Sequence, residues 1–177
     1  MKDTAYTSLA LGPHTDTTYF TDPAGLQMFH LLSHTDGEGG KSLLVDGFNA
    51  ARAMKDKSRT GYDSLCKTPV PWHASGNEGI TITPGKKFPV FNFADHFNED
   101  PDPRLLQVRW NNDDRGVVGI RERDGMNSTN WYSAARLWSD ILNDRFPGVE
   151  KMQYWAQLEP GRPLSTLTCY FLWEGSC

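Results

Sequence analysis

The chain has 177 residues, the length of one ordinary domain, and its hydrophobic and charged fractions of 38% and 23% are typical of a soluble globular protein. The formal net charge of −4 comes without a cluster of Lys and Arg, which argues against a nucleic-acid partner because phosphate binding needs concentrated positive charge. No apolar run approaches the roughly 18 to 20 residues of a membrane span, and Cys66, Cys169 and Cys177 share no spacing that suggests a disulfide framework.

The first half of the chain predicts short strands and one helix. Residues alternate from Leu26 to Leu32, so that Leu26, Met28, His30 and Leu32 share one face of a predicted strand. The turn-rich cluster 36–41 separates it from a second β-prone run, Ser42 to Val45. Asp46 then predicts the N-cap of a helix that extends through Met54.

The second half adds more strands and a longer helix. We expect strands at three places, Ile80 to Thr83, Phe88 to Phe93 and Leu105 to Trp110. Asn130 predicts the N-cap of an amphipathic helix from Trp131 to about Arg145. An alternating run from Lys151 to Leu158, a turn at Glu159 to Arg162 and a β-prone tail from Leu164 to Trp173 follow. These elements predict a single, mainly β domain over 1–177, a sandwich or barrel with helical insertions rather than an alternating βαβ fold.

The most informative local motif is Gly12-Pro13-His14-Thr15-Asp16. Residues i and i+2 of a strand project from the same face, so His14 and Asp16 can occupy two adjacent positions on one metal ion. With a second, distant histidine they would form the facial triad of non-haem Fe(II) oxygenases. A surface strand on which a histidine and an aspartate lie side by side is the alternative, because a lone His-x-Asp motif occurs often by chance.

Longer blocks carry a family resemblance. Six segments resemble the trimethyllysine and γ-butyrobetaine dioxygenase family, within the wider taurine-dioxygenase-like oxygenases. They are Asp3–Thr7, Leu9–Phe20, Pro23–His30, Gly39–Phe48, Val108–Arg115 and Leu158–Pro163. The likeness covers about residues 1–164 and is closer to the trimethyllysine enzymes. It implies a double-stranded β-helix, or jelly roll, that uses Fe(II) and 2-oxoglutarate, with ascorbate as a further candidate. The implied reaction is hydroxylation of N6,N6,N6-trimethyllysine at C3 with O₂ in carnitine biosynthesis, and hydroxylation of γ-butyrobetaine is the alternative.

The resemblance also implies residue roles. His14 and Asp16 would be catalytic iron ligands, and the Ser42 hydroxyl would help to hold 2-oxoglutarate. Tyr6 would belong to an aromatic cage for the trimethylammonium group, which cannot donate hydrogen bonds and is attracted to ring faces. Asn111 or Asn112 would contact the polar end of the substrate. Without the resemblance, Ser42 is equally typical of a hairpin, and residues 111–114 of an ordinary turn.

The tail departs from the family pattern. Residues 165–177 contain no His and no Arg, so the third metal ligand and the arginine that pairs with 2-oxoglutarate have no matching residue there. A jelly roll that is incomplete at its carboxyl end, in a catalytically dead, truncated family member, is therefore a second hypothesis. A cupin-like protein or hydrolase with another metal is a third. No targeting segment is visible, so a cytoplasmic or mitochondrial location and a homodimer both stay open.

The other histidines and the aromatic residues favour structural roles. We expect His30 to be packed in the core, His34 to border a loop, and His73 and His96 to be solvated. The helical spacing of Trp131, Trp138 and Ile141 predicts core packing. Cys66 is expected to be a small buried apolar residue.

Overall fold

The computed structural model describes residues 11–33, 40–74, 79–94, 103–119, 128–167 and 171–175. Its elements, in chain order, are β1 Gln27–Phe29, β2 Lys41–Asp46, α1 Gly47–Lys57, α2 Arg59–Lys67, β3 Phe91–Phe93, β4 Leu105–Val108, α3 Ser128–Leu142, β5 Gln153–Gln157, β6 Leu164–Thr166 and β7 Phe171–Gly175. No helix within these ranges is long and apolar enough to cross a membrane.

Side-chain caps define two of the helices. The carboxylate of Asp46 accepts hydrogen bonds from the backbone N–H groups of Phe48 and Asn49 at 3.1 and 2.9 Å, which confirms the predicted N-cap of α1. Ser58 caps α2 in the same way, through the N–H of Gly61. Helix α2 was not predicted, because it contains Gly61 and several residues of low helix propensity. Burial of its apolar face stabilises it instead.

The three helices pack together with β3 and β4 around aromatic and aliphatic side chains, and we call this region the helical core. Trp138 is fully buried, and its ring lies edge-to-face with Phe91 at 5.0 Å between centroids. Leu65 and Cys66 of α2 are buried here, as was expected of Cys66. The predicted stripe of Trp131, Trp138 and Ile141 is confirmed as core packing.

All pairings between named strands are antiparallel. The central strand β2 pairs with β5 on one side and β7 on the other, β1 pairs with β6, and β3 pairs with β4. Leu43 and Val45 of β2 point into the hydrophobic core, while Ser42 and Leu44 lie on the opposite face of the sheet. The predicted turn at Glu159 to Arg162 is confirmed by the hydrogen bond from Arg162 N–H to Glu159 O.

Several sequence predictions were wrong in detail. The strand predicted from Leu26 to Leu32 is limited to β1, and Met28 on its apolar face is 60% exposed. His30 is exposed rather than packed, because that face meets no core. The run Ile80 to Thr83 makes only an isolated bridge, between Ile82 and Ala74. Asn130 lies inside the first turn of α3, which begins at Ser128 and ends at Leu142.

Candidate metal centre

His14 and Asp16 lie side by side, as their i, i+2 spacing predicts. The Nε2 atom of His14 is 3.4 Å from Oδ1 of Asp16, and the histidine is 7% exposed. Two ligand atoms that bind one metal ion at about 2.1 Å each, at a right angle, would be about 3 Å apart. The observed separation therefore fits two neighbouring positions on one ion after a small adjustment.

Each of these two side chains is oriented by a hydrogen bond from its other polar atom. Nδ1 of His14 donates to the carbonyl of Gly12 at 2.8 Å, because a carbonyl can only accept, and this leaves Nε2 as the ligand atom. Oδ2 of Asp16 accepts a hydrogen bond from Nε2 of Gln27 on β1, which leaves Oδ1 beside the imidazole. Partners of this kind fix the geometry and basicity of metal ligands.

The pair carries opposite pKa shifts. Burial alone would lower the pKa of His14, but the hydrogen bonds to Asp16 and Gly12 and the charges of Asp16 and Asp114 outweigh it and raise that pKa. The pKa of Asp16 is lowered, chiefly by its hydrogen bond with His14 and against the effect of burial. Metal binding requires the unprotonated nitrogen and the ionised carboxylate. A metal ion at this site would therefore compete with a proton for Nε2 of His14.

Hydrogen bonds anchor Thr15 and Thr18 to the segment after β4. Thr15 donates its backbone N–H to Trp110 O at 2.7 Å, and its hydroxyl accepts the Trp110 N–H at 2.9 Å. The Thr18 hydroxyl, fully buried, donates to Oδ2 of Asp114 at 2.6 Å. Burial raises the pKa of Asp114, and the Thr18 hydrogen bond and the charge of His14 oppose that shift. We call residues 11–29, which include His14, Asp16 and β1, the ligand segment.

The other predicted site residues lie on separate elements. Ser42 is buried on β2, on the sheet face opposite the hydrophobic core. The Asn111 amide donates to Asp114 at 3.1 Å, and Asn112 Oδ1 accepts from Arg115 at 3.0 Å. Asn111 is thereby linked through Asp114 to Thr18 of the ligand segment. Tyr6 lies outside the described residues.

The nitrogen of His14 and the oxygen of Asp16 suit two coordination positions on one metal ion. Within the described ranges, no group of three or more His, Cys, Asp or Glu side chains could hold a metal ion. His73 is half-buried, not solvated as expected, and its backbone N–H bonds Asp114 O. His34 and His96 lie outside the described residues. The described part of the chain therefore supplies an oriented His and Asp, and a third ligand would come from elsewhere.

Sequence reasoning missed the residues that orient the pair. Gln27 lies eleven residues beyond Asp16 in a strand of its own, and Asp114 lies 96 residues beyond Thr18. The motif at Val108–Arg115 was noticed, but only its asparagines were given a role. No local signal in the sequence could have found these contacts, because the buried hydroxyls of Thr15 and Thr18 pair with residues far along the chain.

Known proteins resemble this chain over most of its length. The family model for the taurine catabolism dioxygenase TauD, TfdA family matches residues 1–163. Trimethyllysine dioxygenase of Neurospora crassa is 48% identical over 93% of this chain, and the mitochondrial trimethyllysine dioxygenase of Gallus gallus is 40% identical over 92%. The chain spans 39% and 36% of the lengths of these two relatives.

A solved structure shares the fold. An asparagine oxygenase in complex with Fe(II), 2S,3S-3-hydroxyasparagine and succinate superposes with a TM-score of 0.67. The match covers 96% of this chain and 44% of that chain, at 13% sequence identity. The antiparallel sheets and packed helices therefore belong to an arrangement that occurs in a larger oxygenase.

Proposed function

Because the chain belongs to the taurine catabolism dioxygenase TauD, TfdA family, we propose that it forms the iron-binding part of an Fe(II)- and 2-oxoglutarate-dependent dioxygenase that hydroxylates trimethyllysine. The 48% identity to the Neurospora crassa trimethyllysine dioxygenase supports this substrate. A jelly-roll arrangement, in which β1–β6 and β5–β2–β7 form parts of two facing sheets, is the fold that we propose around the site.

One observation carries the proposal: two ligand atoms lie 3.4 Å apart, and the second polar atom of each side chain is already engaged. A His and an Asp that were merely neighbours on a solvated strand would not need a backbone carbonyl and a glutamine amide to orient them. Fixing the ligands before the metal arrives reduces the cost of ordering them on binding.

Each member of the His14–Asp16 pair would offer one atom to the metal. His14 would offer Nε2 to the metal while Gly12 O holds its Nδ1–H. Asp16 would offer Oδ1 and partly neutralise the ion, while Gln27 holds its Oδ2. Iron and 2-oxoglutarate, when bound, supply the O₂-dependent chemistry in which 2-oxoglutarate becomes succinate and CO₂ and a substrate C–H becomes C–OH. The protein positions these groups and favours the ionised form of Asp16, while binding of the metal would displace the proton that the raised pKa of His14 favours.

The remaining roles are supported by position. Ser42 lies on the sheet face opposite the hydrophobic core, and its hydroxyl would help to hold 2-oxoglutarate there. Asn111, tied to Asp114, would present its amide at the end of the site nearest Thr18. Tyr6 would contribute a ring face to the trimethylammonium group. The mitochondrion is the proposed location, since the Gallus gallus relative is named as mitochondrial.

The test is an anaerobic titration of the purified chain with Fe(II) in the presence of 2-oxoglutarate. The expected result is a visible metal-to-ligand charge-transfer band that is lost in His14→Ala and in Asp16→Ala. His30→Ala is the matched control, because His30 is an exposed histidine in the same part of the chain. It should leave the band unchanged.

Turnover separates the substrate from the metal site. If the band forms, succinate release on adding O₂ should be stimulated by trimethyllysine more than by γ-butyrobetaine. A folded chain without the band, or a band that persists in His14→Ala, would refute the proposed metal centre. Equal or greater stimulation by γ-butyrobetaine would refute the proposed substrate alone.

A further inference from the structure

We propose that Arg109 is a positioning residue of the metal centre, which holds the turn directly after Asp16 and so sets the placement of the His14–Asp16 pair. This inference rests on the proposed function for its metal readout. Arg109 is 2% exposed, although it carries a charge and touches neither ligand side chain in the hydrogen bonds described. A buried guanidinium is costly to desolvate, and its retention therefore calls for a reason.

The Arg109 guanidinium donates hydrogen bonds to several backbone carbonyls of one short turn. Nη1 donates to the carbonyls of Thr18 and Phe20, each at 2.7 Å, and Nη2 donates to the carbonyl of Thr21 at 3.2 Å. Three carbonyls within four consecutive residues thus converge on one side chain. Carbonyls in a turn face different directions and need separate donors, and the planar fork of arginine supplies several at fixed angles. A lysine or a neutral side chain of similar size could not reproduce this pattern.

Arg109 is itself held rigidly. Its backbone N–H donates to Val90 O at 2.8 Å, at the end of the β3–β4 pair. Its guanidinium carbon lies 4.1 Å from the centroid of the Phe88 ring, a cation–π contact. Burial lowers its pKa to about 10, so the side chain is still charged at neutral pH. The helical core therefore reaches the ligand segment through a fixed, charged donor.

The turn that it holds needs support. Thr17, between Asp16 and the gathered carbonyls, has a φ of 56°, a left-handed conformation that is unfavourable for a β-branched residue. Because Thr17 follows Asp16 directly, relaxation of this residue would rotate the Asp16 carboxylate away from Nε2 of His14. The buried guanidinium of Arg109 thus stabilises the backbone conformation that keeps the Asp16 carboxylate beside Nε2 of His14.

The experiment compares Arg109→Gln and Arg109→Lys with Arg115→Gln. Arg115 is a suitable control because its guanidinium carbon also lies near aromatic rings, 5.4 Å from the centroids of Trp131 and Tyr132 on α3. Its described side-chain hydrogen bonds go to Asn112 and not to the ligand segment. Two readouts are measured on each variant: hydrogen–deuterium exchange of the peptides covering 14–22 and 128–142, and the Fe(II) dissociation constant from the charge-transfer titration.

Arg109→Gln should increase exchange at 14–22 with little change at 128–142, and should weaken Fe(II) binding by about 10- to 100-fold. Arg109→Lys, which keeps the charge but not the fork, should fall between it and the wild type. Arg115→Gln should leave the Fe(II) dissociation constant within about twofold of the wild-type value. If Arg109→Gln does not fold, Arg109→Lys carries the comparison.

Unchanged exchange at 14–22, or unchanged Fe(II) affinity in a wild-type chain that binds iron, would overturn the proposal. Loss of the fold in both Arg109 variants would also overturn it, since Arg109 would then be a folding residue. If the wild-type chain binds no iron, the proposed function fails, while exchange at 14–22 still decides whether Arg109 holds the ligand segment.

Discussion

The helical core and the ligand segment are neighbours that are stabilised in different ways. In the helical core, large side chains such as Trp131, Trp138 and Leu65 are fully buried against one another. The ligand segment has no comparable apolar packing of its own: hydrogen bonds hold Thr15 to Trp110, Thr18 to Asp114 and Asp16 to Gln27. Its apolar face on β1 is exposed.

This difference matches what each region has to do. Apolar packing is non-directional and gives stability in proportion to the area buried. A metal site needs ligand atoms held to within a fraction of an ångström, which hydrogen bonds with fixed angles achieve and apolar packing alone does not. We therefore expect substitutions in the helical core to lower the free energy of unfolding, and substitutions around the ligand segment to lower metal affinity.

The largest effect on stability should come from Trp138→Ala. The ring is fully buried between Phe91 and Trp110, so its removal leaves a cavity and should lower the free energy of unfolding by about 3–5 kcal/mol. Urea unfolding measures this. Arg136→Ala, on the exposed side of the same helix, should change it by no more than about 0.5 kcal/mol. Similar losses in both variants would contradict the closed packing of the core.

The reactivity of Cys66 tests whether solvent reaches the same core. Burial raises the pKa of its thiol from 9.0 to about 12, which lowers the thiolate fraction about a thousandfold at pH 8. Alkylation of Cys66 by iodoacetamide at pH 8 should be slower in the folded chain by about that factor than in urea. Below about pH 9 the thiol is protonated in both states. Between about pH 9 and 12 the thiol ionises in the unfolded chain but stays protonated in the folded one, so the free energy of unfolding falls across that window.

The alkylation measurement needs peptide mapping, because Cys169 and Cys177 also carry thiols. Rapid modification of Cys66 in the folded chain would show that solvent reaches the α2 face of the core. Cys66→Ala should reduce the fall in the free energy of unfolding above pH 9. Part of that fall should remain, because burial also raises the pKa of the neighbouring Tyr62.

Gln27→Leu should separate metal affinity from stability. The variant keeps the volume of the side chain but removes the amide that holds Oδ2 of Asp16. The Fe(II) dissociation constant should rise about 10- to 100-fold, while the free energy of unfolding changes little. Gln157→Leu, at an exposed glutamine of β5, is the control and should leave both unchanged. An unaltered dissociation constant in Gln27→Leu would mean that Asp16 is oriented by something else.

The same division explains which features the sequence could predict. Helix α3, strand β2 and the Asp46 cap follow from periodicity and local capping chemistry, which depend on residues a few positions apart. The side-by-side placement of His14 and Asp16 was predicted from i, i+2 spacing in a strand, whereas Asp16 lies in a turn and the pair is outside the named strands. The family blocks supplied the chemistry that geometry could not, since the TauD, TfdA family model matches residues 1–163.

What could not be predicted depends on contacts far apart in the chain. The hydrogen bonds from Thr18 to Asp114 and from Arg109 to the carbonyl of Thr18 each join residues about ninety positions apart. No local sequence pattern predicts such contacts. Helix α2 was missed because burial of Tyr62 and Leu65 outweighs its low propensity. His30 was misplaced because alternation shows that a face is apolar but not whether another element covers it.

A smaller effect is expected at the junction of the central sheet and the helical core. Asp46→Ala removes the cap that accepts from both Phe48 and Asn49, and it should lower the free energy of unfolding by about 1 kcal/mol. Asp46→Asn keeps an accepting oxygen and should cost less. Both values come from urea unfolding at neutral pH. Equal losses in the two variants would indicate that the charge of Asp46, rather than its cap geometry, stabilises α1.

The smallest effect should be that of Met28→Ser, beside Gln27 on β1. The Met28 side chain is 60% exposed, so the free energy of unfolding should change by no more than about 0.5 kcal/mol. The substitution removes as much apolar side-chain surface as many core truncations do. Its effect on stability should be small only because the side chain is exposed. A loss of 2 kcal/mol or more would mean that this face is covered in solution. Such a loss would then depend on protein concentration if a second copy covers it, and would be independent of concentration if the chain itself does.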